Sequence, residues 1–162
     1  MSGHARIWDG GAVRLTAADA EQSALPALRV LVVDRDNLHR MIICRAADKA
    51  GCVPAGAANL TEAIKHVQSA AFDCITLDLS FGRRAACDFL SRLDALGFTS
   101  KILLVGDRDT ADCRETLRVA ASLGLDAEDS MAKPLDVGKL RVALEQLRIQ
   151  GALQRGLAPV GA

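Results

Sequence analysis

The chain has 162 residues, half of them apolar, with 20 Lys and Arg against 20 Asp and Glu; that suffices for one packed domain, since single cores usually account for about 100 to 200 residues. A formal net charge of zero argues against a basic nucleic-acid or anionic-membrane surface as the basis of function. No run approaches the roughly 20 apolar residues of a membrane span, and residues 1–27, with Arg6, Asp9 and Arg14 among Gly and Ala, lack a signal-peptide core, so a soluble, cytoplasmic protein with no membrane and no nucleic-acid partner is expected.

The first 27 residues read as an N-terminal extension, and Trp8, the single tryptophan, is a candidate anchor within it. After Pro26 the chain alternates apolar runs with helix-periodic segments. "RVLVV" opens at Arg29 as a strand buried on both faces. The segment Asn37 to Ala50 follows with Leu38, Met41 and Ile42 at helical spacing. A less apolar run, "CVPAGAA", precedes a helix over Thr61 to Ala71, where Asn59 and Glu62 form a capping-box pattern. "CITL" leads to a helix over Arg84 to Leu96, "KILLV" to one over Thr110 to Leu123, and "LDAEDSMA" to a last helix over Asp136 to Arg148. Gly51, Gly97 and Gly124 stand where helices should stop. Residues 149–162 are left as a C-terminal tail.

The five cysteines (Cys44, Cys52, Cys74, Cys87, Cys113) are odd in number, form no CxxC pair and have apolar neighbours. They read as small hydrophobes in a reducing compartment rather than as a disulfide framework. His4, His39 and His66 stand in no metal spacing with them. His66 is expected to be exposed, and Arg83 and Arg84 to form the solvated start of a helix rather than an anion site.

Five strands alternating with five helices predict an α/β fold, a doubly wound parallel sheet whose ligands bind at the carboxyl ends of the strands. The residues at those ends are Asp34, Arg35 and Asp36 after the first strand, Asp78 and Ser80 after the third, Gly106 and Asp107 after the fourth, and Lys133 and Pro134 after the fifth. Carboxylates facing a lysine suit a hard cation and a phosphoryl group, because oxygen ligands fit Mg²⁺ and an ammonium neutralises phosphate.

"RVLVVD", "FDCITLDLS" and "AKPL", in that order and at those strand ends, resemble the response-regulator receiver domain of two-component signalling over about residues 28–148. The resemblance implies a flavodoxin-like receiver fold. It implies that Asp78 is the phosphoacceptor, that Lys133 pairs with the phosphoryl oxygens, and that the Lys133–Pro134 bond is cis. It also implies that Asp34, Asp78 and the backbone carbonyl of Ser80 hold Mg²⁺. The same residue types serve a bottom-up reading, since phosphoryl transfer rests on positioning and charge neutralisation.

The sequence departs from the family pattern at several positions. Arg35 replaces the second metal-binding acid, so its guanidinium is expected to reach Asp78 or Asp34 and to leave Mg²⁺ weakly bound. Asp36, one residue further on, is expected to point elsewhere. Val105 and Gly106 stand where a hydroxyl residue ends the fourth strand, Ser130 where an aromatic switch residue stands, and Phe81-Gly82 where Met-Pro follows the acceptor.

Three functions compete. The expected one is a non-enzymatic, stand-alone receiver in a phosphorelay, phosphorylated on Asp78 by a histidine kinase or phosphotransfer protein and signalling to a downstream protein through surface contacts. The alternative is a pseudo-receiver that acts as an interaction module without phosphorylation. The third is a haloacid-dehalogenase-like phosphatase, with Asp34 as nucleophile and Asp36 as acid, suggested by "VVDRDNL" and "VGDRDTAD"; its lysine would have to be Lys101 or Lys133, and neither stands in that family's order.

Overall fold

The computed structural model describes residues 16–17 and 24–156. Its elements are β1 Arg29–Val33, α1 Asn37–Lys49, β2 Val53–Ala57, α2 Leu60–Ser69, β3 Cys74–Asp78, a 3-10 turn over Leu79–Phe81, α3 Arg83–Ala95, β4 Lys101–Val105, α4 Ala111–Ser122, β5 Ala127–Met131 and α5 Val137–Gln154. The five strands form one parallel sheet in the order β2-β1-β3-β4-β5, the flavodoxin-like order, whose switch point lies between β1 and β3. The fold class expected from the sequence is the one observed.

Strand alternation assigns the two layers. Leu31 and Val33 of β1, Ile75 and Leu77 of β3, and Ile102 and Leu104 of β4 face one core, which α2, α3 and α4 close with Ile64, Phe89, Leu90, Leu93 and Cys113. Val30, Val32, Cys74, Leu103 and Val105 face the other, closed by Ile43, Ala46 and Ala47 of α1 and Leu140 and Leu144 of α5. Central strands covered on both faces must be apolar at successive positions, which is why β1, β3 and β4 stand out in the sequence.

Local signals set the helix starts. Asp36, Asn59, Thr110 and Asp136 cap α1, α2, α4 and α5 by accepting from backbone N–H groups three residues on. Glu62 reaches back to the Ala58 N–H at 2.9 Å, completing a variant of the capping box. The last helix runs on to Gln154 rather than ending at Arg148. Buried Leu140, Leu144, Arg148 and Ala152 recur every fourth residue, and packing along that stripe outweighs the cost of about 1 kcal/mol for Gly151 inside a helix.

Arg148 is buried, and its guanidinium donates to the carbonyls of Ala50 at 2.9 Å and Leu25 at 3.0 Å. It ties α5 to the end of α1 and to the segment entering β1. The cysteines are free, and burial pushes the Cys52 thiol up to about 11, which makes it an inert core group.

Lys101 opens β4 and donates to Asp126 and Glu128, each at 2.8 Å. Burial lowers its pKa, but hydrogen bonds and charge from those two carboxylates raise it by more, so the net shift is upward. A raised lysine pKa stabilises the fold below the unfolded-state value of about 10.4 and is lost as pH climbs through the folded-state value. Lys101→Met should therefore cost about 1 kcal/mol at neutral pH. Urea titrations should show that difference shrinking above about pH 10.5.

Candidate functional site

The site stands where β1, β3 and β5 deliver their last residues at one end of the sheet. Asp78 ends β3 and is 2 % exposed, although its carboxylate faces a cleft of about 210 Å³ bordered by Ser80, Gly106, Asp107, Thr110 and Lys133. Asp78 Oδ1 accepts from Lys133 Nζ at 2.9 Å and from the Ser80 N–H at 3.1 Å, while Oδ2 accepts from the Ser80 hydroxyl. Burial pushes the Asp78 pKa up, but the Ser80 hydroxyl, the Lys133 ammonium and the Ser80 amide outweigh it, and the net shift is downward. The carboxylate is thus ionised at neutral pH, as a nucleophile requires. Lys133 precedes a cis bond to Pro134, as the sequence resemblance implied.

Asp34 ends the β1 side of the site and is fully buried. Its Oδ1 accepts from the Asp36 N–H at 2.8 Å, its Oδ2 meets Nδ1 of His39, and its backbone carbonyl accepts from Arg40 at 2.7 Å. Asp36 points away, as expected. It caps α1 by accepting from the His39 N–H at 2.9 Å, which lowers its pKa. Arg35 extends to the Ser80 backbone carbonyl, where Nη1 donates at 3.2 Å. The expectation that this guanidinium would reach Asp34 or Asp78 is corrected: each of those carboxylates takes its hydrogen bonds from other donors.

At the end of β4 the missing hydroxyl has a packing reason. A Cβ at Gly106 would lie 3.0 Å from Leu79 Cβ, a tight contact, so a side chain there needs Leu79 to give way by a few tenths of an ångström. A hydroxyl does border the same cleft further along, from Thr110, but it accepts from the Cys113 N–H at 3.1 Å and donates to the Asp107 carbonyl at 3.3 Å. Arg83 and Arg84 are exposed at the start of α3, as expected of solvated residues. His66, expected to be exposed, is half-buried edge-on to Phe72 at 6.2 Å. Trp8 and the side chain of Ser130 lie outside the described part of the structure.

Neither His39 nor Thr110 was singled out from the sequence. His39 stands five residues after Asp34 across a strand-to-helix turn, a spacing that marks no site until the turn geometry is known. Thr110 opens the segment expected to be helical, and the structure makes it the N-cap of α4.

A family model described as the response regulator receiver domain matches residues 30–145. The chain belongs to this family. The receiver is 31% identical over 123 residues to Regulatory protein VirG of Agrobacterium tumefaciens (strain 15955), a match that covers 74% of this chain and 44% of that protein. The chain therefore spans less than half the length of this curated relative. Among solved structures the receiver resembles the chemotaxis response regulator CheY4 of Vibrio cholerae, with a TM-score of 0.62 and 21% identity over 75% of this chain and 99% of that one. It also resembles a response regulator from Colwellia psychrerythraea, with a TM-score of 0.65 and 19% identity over 77% and 99% of the two chains. These likenesses establish the fold.

Receiver domains are in general non-enzymatic signalling modules that bind Mg²⁺ in their acidic pocket. The residues present here do not fit that ion. Asp34 has both oxygens engaged and no exposure, Arg35 holds the Ser80 carbonyl, and Asp78 Oδ1 already carries two donors. Among the described residues no group of three or more His, Cys, Asp or Glu side chains is disposed to hold a metal ion. No helix among them is long and apolar enough to cross a membrane.

Proposed function

We propose that the receiver accepts a phosphoryl group on Asp78 from a histidine kinase or phosphotransfer protein in the cytoplasm, and passes the signal on through protein contacts of its own surface. The observation that carries this reading is the buried Asp78 carboxylate, paired with Lys133 and bordering a cleft with room for a phosphoryl group. Asp78 Oδ2 is the better placed nucleophile, because it has one hydroxyl contact to release whereas Oδ1 has two donors. It attacks phosphorus, a P–O bond forms, and the donor's P–N bond breaks with its electron pair passing to the imidazole nitrogen. Lys133 neutralises charge that accumulates on the phosphoryl oxygens, where one fixed donor in a partly desolvated site is worth about 10²-fold or more in rate.

The pseudo-receiver reading draws support from one observation, the lack of a hydroxyl at the end of β4, where Val105 is followed by Gly106 with Leu79 packed close beside it. The phosphatase reading loses support from Lys101, which opens β4 and is spent on Asp126 and Glu128, at the opposite end of the strand from Val105 and hence from the site. Incubation with acetyl phosphate followed by intact-mass measurement separates the three. The proposal predicts a stable gain of one phosphoryl group; a pseudo-receiver stays unmodified, and a phosphatase turns over phosphomonoesters continuously.

A further inference from the structure

We propose that this receiver takes its phosphoryl group without a divalent cation, the Arg35 guanidinium serving as the resident positive group at the Ser80 carbonyl. The inference rests on the reading of Asp78 as acceptor and goes beyond it by fixing what surrounds the reaction. Three observations carry it. The Ser80 carbonyl, the oxygen that the resemblance assigns to a metal shell, accepts from Arg35 Nη1 at 3.2 Å. Asp34, the one remaining acid of the expected pair, is fully buried, with Oδ1 on the Asp36 amide and Oδ2 on His39. The open space beside Asp78 is bordered by Ser80, Gly106, Asp107, Thr110, Asp112 and Lys133, and neither Asp34 nor Arg35 lines it.

Small oxygen-seeking ions need several unoccupied oxygens converging on one point, and here those oxygens are already hydrogen-bonded to protein donors. A guanidinium is permanently charged and presents five N–H donors. Arg35 places one of them on the Ser80 carbonyl, which takes that oxygen out of a metal shell and fixes a positive charge at the residue two positions after Asp78. Lys133 supplies a second cation, on Asp78 Oδ1.

The test compares acetyl phosphate labelling in EDTA with labelling in millimolar MgCl₂, alongside Mn²⁺ broadening of the Asp34 and Asp78 amide resonances. The wild type should label at equal rates in both media, with no selective Mn²⁺ broadening. Arg35→Asp should gain Mn²⁺ broadening and bind metal about tenfold tighter or more, and its labelling should become Mg²⁺-dependent. Arg35→Met should label more slowly than wild type in EDTA. Wild-type labelling that needs Mg²⁺, or selective Mn²⁺ broadening in the wild type, would overturn the inference and leave Asp78 as acceptor. Absence of labelling in either medium would remove the inference and the acceptor assignment together.

Discussion

Asp78→Asn should abolish labelling by acetyl phosphate completely while leaving the fold intact. The substitution keeps the shape of the side chain but removes the anionic oxygen that must attack phosphorus; Asp34 is enclosed by Asp36 and His39, and Ser80 has no general base other than Asp78 among its hydrogen-bond partners. Lys133→Ala should retain the acceptor and slow labelling by about 10²-fold. Stability follows a separate logic. The folded-state pKa of Asp78 is lowered, so its ionised form stabilises the protein above the unfolded-state value of about 3.9, and this contribution is lost as pH falls through the folded-state value. Urea titrations of wild type and Asp78→Asn should therefore converge in acid. Labelling of the Asp78→Asn protein at a different residue would count against the assignment.

Gly51→Ala should destabilise the domain by about 3 kcal/mol, from two sources of similar size. Gly51 has φ +77°, a left-handed conformation that costs a residue with a Cβ about 1 to 2 kcal/mol. The new Cβ would also lie 2.2 Å from Arg148 Nη1, so the guanidinium must move and release the Ala50 carbonyl, and an unpaired buried carbonyl costs about 1 to 3 kcal/mol. Arg148→Ala alone should lose its bonds to Ala50 and Leu25. In the double variant the collision has vanished, so the two losses should add to clearly less than their sum. Chemical denaturation of the four proteins measures this directly, and additive losses would show that Gly51 and Arg148 act independently.

Much of this architecture is legible in the residues because burial on both faces leaves few choices. "RVLVV", "CITL" and "KILLV" are apolar at successive positions, and Asn59, Asp136 and the glycines punctuate the helices between them. β2 and β5 are harder to read. β5 carries Glu128 and Asp129, and Glu128 serves Lys101 rather than either core. The last helix runs past Arg148, where the sequence placed its end, through Gly151 to Gln154, with Ala152 buried.

At the site, the ordered Asp34, Asp78 and Lys133-Pro134 are readable because strand ends in a parallel sheet converge. What each side chain touches is not. The strand-to-helix turn brings His39 onto Asp34, and Arg35 donates to the Ser80 carbonyl rather than to either carboxylate. Leu79 packs close against Gly106, a contact between two chain segments that lie far apart in sequence. Such pairings depend on rotamers and on packing between distant segments, and neither has a periodicity.

The most direct test of the account is to locate the modified residue. Wild-type protein treated with acetyl phosphate, then reduced with borohydride, converts an aspartyl phosphate to homoserine, which peptide mass spectrometry places in the sequence. The account predicts homoserine at position 78 and nowhere else. Homoserine at position 34 would contradict it, making Asp34 the nucleophile and restoring the phosphatase reading.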